Sequence, residues 1–397
     1  MNKNNFALLG GKPTFSRKIP VGQLYFPEWN RYESAMRGIF DRRYYTNQGP
    51  LVQQLEQKLE TYLKAKHVIC VTNATIGLMM AAEALSLSGK VILPSFTFIA
   101  SAQSLSWVGI KPVFCDINPL THQIAIDQLD SLIDDKVTGI MGVNLWGGAC
   151  DPIKLEKYAQ QRGLKLFFDS AQAFGGTVEN TKIGNFGSVE VFSFHATKVL
   201  SSAEGGCLST NDDLLAAKLR NIRSSYGAGH PVSITKTSNG RMSEAQAAIG
   251  LMSLEDFPKN QKNNKTLFNI YKNRLDTIPG IKLIEPAGVT QSNYQYIVCE
   301  IDESLFGLSR DALIKVLKAE NIIARRYFYP GAHRSVDYIS MFQNNTASLP
   351  VTERLCETCI QFPVGALVDE NVVGAISDIV ENSHLNAKML NAFLIGK

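Results

Sequence analysis

The sequence predicts an α/β fold, a large part with a mostly parallel central sheet flanked by helices and a smaller α+β part at the C-terminal end. Three observations predict it. Short runs rich in Val, Ile and Phe alternate with helical stretches as far as Cys207, the pattern of repeated βαβ units. From Tyr294 onward the alternation of strand and helix is simpler. Between them the polar stretch Asp256–Asn264 marks an expected boundary, with residues 1–256 in the large part and 257–397 in the small one. A chain of 397 residues, 45% apolar and 19% charged, has material for two such cores.

The elements follow in order. Residues up to about Pro50 read as irregular, punctuated by Gly10, Gly11, Pro13, Pro20 and Pro27. Leu51–Lys64 is a helix with Leu51, Leu55, Leu59 and Tyr62 on one stripe. A strand, His67–Thr72, and a helix, Ile76–Leu85, are joined by Asn73, Ala74 and Thr75. These residues suit a plain N-cap or a phosphate held by backbone N–H groups. Strand Val91–Pro94 leads into Ser95–Phe98 at the head of an apolar helix, where Phe98 is either core or a flat surface for a ring. Lys111–Asp116 and Gly139–Leu145 are strands, the second followed by Trp146, and Pro152–Arg162 is a helix.

Next comes a strand ending in the carboxylate Asp169, with Gln172 just beyond. Val189–Phe194 is another strand; it breaks into a polar turn carrying Ser193, His195, Thr197 and Lys198, and Gly205-Gly206 then reverses the chain. Helix Asp212–Arg223 precedes a Gly/Ser-rich loop, Ser224–Gly240. The following helix is capped by Ser243, and its Ala245, Ala247 and Ala248 suit close packing, here expected at a subunit interface. The C-terminal part is read as strand Tyr294–Ile301, helix Ser309–Ala319, strand Ile322–Tyr327, a loop with Tyr329 and His333, and helices from Val351 and over Glu370–Glu381.

Composition excludes several classes. A net charge of +4 without a Lys/Arg run gives no footing for nucleic acid. Seven cysteines without a periodic spacing suit free thiols in a reducing cytosol; Cys356 and Cys359 are expected on one helix face, and no metal site is expected. No signal peptide and no membrane span is legible, so the chain reads as a soluble cytoplasmic protein. Neither G-x-G-x-x-G after the first strand nor G-x-x-x-x-G-K-[ST] occurs, which counts against nicotinamide and P-loop enzymes.

The chemistry rests on two strand ends. In open α/β sheets the residues leaving the carboxyl ends of strands line the ligand crevice, so Asp169 and Lys198 face one pocket. Alone, such an Asp is an N-cap and such a Lys a solvated side chain. Together they are what pyridoxal 5'-phosphate (PLP) needs: an amine for a Schiff base, and an acid that keeps the pyridine nitrogen protonated.

Ser193–Lys198 followed by Glu204-Gly205-Gly206, with Asp169–Gln172 upstream and Leu9-Gly10-Gly11 at the start, resembles the DegT-type PLP-dependent nucleotide-sugar aminotransferases. That resemblance implies the fold-type-I aminotransferase architecture and a homodimer with shared active sites. It implies that Lys198 carries PLP, Asp169 meets the pyridine nitrogen, Gln172 the ring hydroxyl and Phe98 the ring face. Ala74, Thr75 and Ser193 would hold the phosphate, joined by Asn239 from the other subunit. Departures are Ala74 where glycine is common, Ala196 where proline is, and Asn144 where histidine is. Relatives that dehydrate sugars carry histidine in place of Lys198, so that branch is disfavoured.

The stretches Asn73–Thr75, Leu145–Gly147, Met242–Ala245 and Gln295–Val298 look most like the branch that aminates the 4-keto group of dTDP-4-keto-6-deoxyglucose, with glutamate as donor. A 3-keto or UDP-sugar substrate, another PLP reaction on the same scaffold, and a non-catalytic PLP-binding regulator are the alternatives. Asn47, Asn144, Trp146, Tyr329 and His333 are the candidate substrate contacts, with Arg325 or Arg326 for the diphosphate.

Overall fold

Residues 6–224, 232–340 and 348–396 are described by a computed structural model; positions 225–231 of the expected Gly/Ser-rich loop lie outside the described residues. Strand β1 (His67–Val71) shows the rule of the central sheet: Val68 and Cys70 enter one buried cluster, Ile69 and Val71 another. The same period of two divides Ile92 from Leu93 on β2 (Lys90–Pro94) and Val113 from Phe114 on β3 (Lys111–Cys115). It divides Ile140 from Met141 on β4 (Val137–Val143) and Phe168 from Phe167 on β5 (Lys165–Asp169). Strands covered on both faces read as continuous apolar runs, which is why they stand out in the sequence. A short hairpin, β6 (Thr177–Val178) and β7 (Thr181–Lys182), leads to β8 (Glu190–Ser193) and β9 (Gly206–Thr210).

The seven-stranded sheet has the order β1-β9-β8-β5-β4-β2-β3. Its strands run parallel except β9, which pairs antiparallel with both β8 and β1. The carboxyl ends of β1, β2, β4, β5 and β8 therefore share one edge.

A three-stranded antiparallel sheet, β10 (Ile281–Leu283), β11 (Ile297–Ile301) and β12 (Cys359–Phe362), belongs to a separate cluster around Leu267, Leu313 and Ile376. The expected strand Ile322–Tyr327 is not one: Ile322 bridges Ile19 and Arg325 bridges Gln361, so the segment pairs with two different partners and makes no ladder. Tyr294 lies outside β11, at φ 53°.

Three other expectations are corrected. The first fifty residues are not all irregular, because Trp29–Arg42 is a helix; it buries only Ile39, so it shows no apolar stripe. Cys356 sits in helix Pro350–Thr358 and Cys359 opens β12, so no helix face is shared. All seven cysteines are free and buried. Glu370–Leu385 outlasts the expected helix and is followed by another, Ala387–Ile395.

The polar stretch Asp256–Asn264 lies inside one 32-residue helix, Glu244–Leu275, started by a Ser243/Gln246 capping box. Phe257 packs in the large-sheet cluster and Leu267 in the small-sheet cluster, so the helix serves both cores. The N-terminal segment, expected with the large part, packs on the small one: Phe6 joins its cluster and Ala7 N–H donates to Glu320 Oε1 at 2.7 Å. Among the described residues no helix is long and apolar enough to cross a membrane, and no cluster of His, Cys, Asp or Glu is placed to hold a metal ion.

Candidate active site

The shared strand edge opens on a cleft of about 580 Å³. A larger groove of about 810 Å³, lined by Asp127, Lys154 and Glu179, shares none of its residues. At one end of the cleft, Asn73 Oδ1 accepts from Ile76 N–H at 2.9 Å and starts helix Ala74–Ala84. A helix start leaves its first N–H groups without intrahelical partners, and Ala74 and Thr75, the first two residues of this helix, line the cleft. Gly206 allows β9 to pass directly beneath: a Cβ there would sit 2.6 Å from Phe192 O and 2.9 Å from Ala74 N.

Asp169, the last residue of β5, is 7% exposed. Its Oδ2 accepts from Ser101 Oγ at 2.7 Å and its Oδ1 from Ala171 N–H at 3.1 Å. Burial pushes this carboxyl above the usual range, against the pull of those two hydrogen bonds and of Lys198. Lys198 Nζ donates to the Tyr296 hydroxyl at 3.2 Å. Burial brings the amine down to about 8; Asp169 opposes the shift and Arg325 adds to it.

Around the pair, Gln172 Oε1 accepts from Trp146 N–H at 3.1 Å, and Ser193 lines the floor. Phe98 stands at the mouth, 60% exposed, at the N-cap of helix Ile99–Trp107. These residues fit PLP. An N-terminal helix turn and a hydroxyl suit a phosphate. A buried carboxylate whose hydrogen-bond donors among the described residues are neutral suits a protonated pyridine nitrogen, and an exposed ring suits its face.

The cleft gathers Ala74, Thr75, Phe98, Asp169, Gln172, Ser193, Lys198, Asn144 and Arg325 from the sequence-predicted set. Asn144 is committed elsewhere, its Nδ2 to Ser170 Oγ at 2.9 Å and its Oδ1 to Cys150 N–H at 3.0 Å. Arg325 Nη1 donates to the Tyr327 hydroxyl at 3.3 Å, whereas Arg326 pairs with Asp311 outside the cleft.

The remaining candidates do not line this cleft in their own chain. Trp146 is buried behind the wall, stacked on Phe328 at 5.3 Å, because its indole fills the cluster beneath Gln172. His333 is fully buried, bonded to Ser95 Oγ at 2.6 Å. Tyr329 faces Arg310 and Arg326. Asn47 and Asn239 are exposed, in left-handed backbone at φ 63° and 51°, away from this cleft.

Sequence reasoning missed Ser101 and Tyr296. Ser101 had a signal: with Thr97 it forms a hydroxyl pair four residues apart in an otherwise apolar stretch. Tyr296 stands inside the stretch Gln295–Val298, which marks only the resembling branch and gives no sign of a contact with Lys198. A further layer lies beneath. Glu190 accepts from Gly184 and Phe186 N–H at 2.6 and 2.9 Å and from Ser170 Oγ, which in turn holds Asn144.

Comparison with known proteins places this geometry. A dTDP-4-amino-4,6-dideoxy-D-glucose transaminase of Shigella dysenteriae is 36% identical over 315 residues, 79% of this chain and 85% of the relative. A GDP-perosamine synthase of Vibrio cholerae is 29% identical over 92% of this chain and 98% of its own length. The crystal structure of DesI in the presence of its TDP-sugar product superposes with a TM-score of 0.92 at 34% identity, covering 98% of both chains. The fold is that of the PLP aminotransferases. With its residues 30–381 matching the family as a whole, this chain, a sugar aminotransferase, belongs to the DegT/DnrJ/EryC1/StrS aminotransferase family.

Proposed function

We propose that this chain moves an amino group from glutamate to the 4-keto group of dTDP-4-keto-6-deoxyglucose, giving dTDP-4-amino-4,6-dideoxyglucose, with PLP seated in the cleft. The observation that carries the chemistry is the Lys198 amine, lowered to about 8, in the same cleft as the buried carboxylate Asp169. The substrate reading is supported by the Shigella transaminase and by the TDP-sugar product with which DesI was crystallised.

When bound, PLP supplies an aldehyde that takes up the amino group and a ring that accepts the electron pair. The chain does the rest. Ala74 and Thr75 N–H groups and the Ser193 hydroxyl grip the phosphate, and Asn239 of a second copy in a homodimer completes the grip. Asp169 keeps the pyridine nitrogen protonated, Gln172 approaches the ring hydroxyl and Phe98 covers the ring face. Lys198 would be the residue that holds the cofactor, and its Nζ would carry the proton that leaves the α-carbon of the donor. An amine with pKa about 8 is neutral in roughly a tenth of molecules at pH 7, so it can accept that proton. Arg325, the cleft-lining guanidinium beside Lys198, receives an anionic group of the substrates. Free, buried thiols suit a reducing cytosol as the place of action.

Two measurements test this. Borohydride reduction and peptide mapping should place the cofactor on Lys198, and label on another lysine refutes the site. Enzyme, glutamate and dTDP-4-keto-6-deoxyglucose should yield a product whose NMR spectrum puts nitrogen at C4. Nitrogen at C3, or turnover of a GDP- or UDP-sugar alone, refutes the substrate.

A further inference from the structure

We infer that the Tyr296 hydroxyl is the docking point of the free Lys198 amine and sets its readiness to take a proton. The inference rests on Lys198 being the reactive lysine.

Lys198 and Tyr296 come from different sheets, Lys198 lining the cleft and Tyr296 buried in the cluster around Trp146. Lys198 lies on the turn after β8; Tyr296 directly precedes β11, in the sheet of the small part. The contact between them is enforced. Gln295 accepts from Val199 N–H at 2.6 Å and donates to Thr197 O, so the residue before Tyr296 holds the backbone on both sides of Lys198. Tyr296 itself is 4% exposed, its ring tilted against Trp146 at 5.9 Å, so the hydroxyl has little freedom except rotation about its own bond.

Burial pushes the Tyr296 phenol well above its usual range, and it stays protonated at any working pH. A neutral phenol serves both states of an amine. It accepts from the ammonium of Lys198 and, with its hydrogen turned, donates to the lone pair of the neutral amine. When Nζ takes a proton from the donor's α-carbon it becomes an ammonium whose N–H can return to Tyr296 Oη. When Nζ gives the proton up, the hydroxyl rotates, and no bond between heavy atoms changes. The charged groups facing Nζ are Asp169 from β5 and Arg325 from the segment bridged to β12, the first favouring the ammonium and the second opposing it. Tyr296 adds a neutral partner that holds the amine between them.

The experiment separates this role from packing. The full-length chain, freed of cofactor, is labelled with acetic anhydride between pH 6 and 10, and modification of Lys198 is followed by mass spectrometry. Tyr296→Phe keeps the ring and removes the oxygen. It should move the labelling midpoint of Lys198 down by about one pH unit, because the charge-assisted hydrogen bond to the ammonium is lost. In the loaded enzyme, at a pH well above the amine's value of about 8, where it is neutral in both proteins, the same variant should slow the half-reaction with glutamate by up to about tenfold and enlarge the isotope effect of α-deuterated glutamate. Fluorotyrosine at position 296, which preserves shape and makes the oxygen a poorer acceptor, should shift the midpoint in the same direction by less. An unmoved midpoint in folded Tyr296→Phe or in the fluorotyrosine protein overturns the inference and leaves Tyr296 as packing. The borohydride map of the wild-type protein fails or succeeds independently, so the two readings fall separately.

Discussion

Ser101 Oγ donates to Asp169 Oδ2 at 2.7 Å, and in the same helix Ser104 turns its hydroxyl back to the Ser101 carbonyl. The carboxylate proposed to face the pyridine nitrogen is thus oriented by a serine from the helix after β2, two strands away in the sheet. Burial already raises the Asp169 carboxyl, and Ser101 is one of the groups that restrain it. Ser101→Ala should therefore raise it further. The acid limb of the pH–rate profile moves to higher pH, by about one unit if the hydrogen bond contributes about 1.5 kcal/mol. An acid limb identical to wild type would show that Asp169 is set by other contacts.

Asp169→Asn keeps the shape and the Ser101 contact but removes the charge. The cofactor should still bind, with its absorbance present, while transamination falls at least about a hundredfold, the equivalent of about 3 kcal/mol for a charge-assisted pair. Retained rate in a cofactor-loaded variant counts against the pairing.

Asn239 lies exposed and outside the cleft of its own chain, yet the segment behind it is held: Ser238 N–H donates to Ile222 O at 2.8 Å and Thr72 N–H to Gly240 O at 2.8 Å. This placement suits action in a second copy. Lys198→Ala and Asn239→Ala chains, each inactive, should regain activity on mixing, since one site of the mixed dimer has both residues intact. A chain that is monomeric and active at assay concentration contradicts shared sites.

Glu190 gives a prediction about stability. Burial raises its carboxyl to about 7, so the folded state holds this proton more tightly than the unfolded chain, whose value is 4.5. The group favours folding most at low pH, and that contribution is lost as pH rises through roughly 4.5 to 7. Denaturant titrations at pH 5 and pH 8 should show wild type losing about 2 kcal/mol or slightly more relative to Glu190→Gln. Parallel pH dependence in the two proteins would mean that Glu190 stays charged.

The sequence made the central sheet legible because doubly covered strands are unbroken apolar runs, and it made Asp169 and Lys198 legible because both leave such strands. What it hid has physical causes. The helix Trp29–Arg42 buries only Ile39 and so lacks an apolar stripe. Ile322–Tyr327 has the composition of a strand, but pairs with two partners for one residue each. Trp146 and His333 are polar-tipped residues outside the long helices and strands, a profile shared by ligand contacts and by buried side chains held by a hydrogen bond. Tyr296 depends on a contact 98 residues away in the chain, which no local pattern encodes.

The 32-residue helix Glu244–Leu275 spans about 48 Å at the helical rise and lends its first half to one core and its second to the other. Its interior proline, Pro258, falls between the two halves and removes a helical hydrogen bond, so a swing of one core from the other would bend the helix at that turn. Lys198 follows β8 of the large sheet, whereas Tyr296 and Arg325 adjoin β11 and β12 of the small one, so such a bend would change the distances between them. The reach of the Lys198 amine to the Tyr296 hydroxyl is thereby tied to the straightness of one helix.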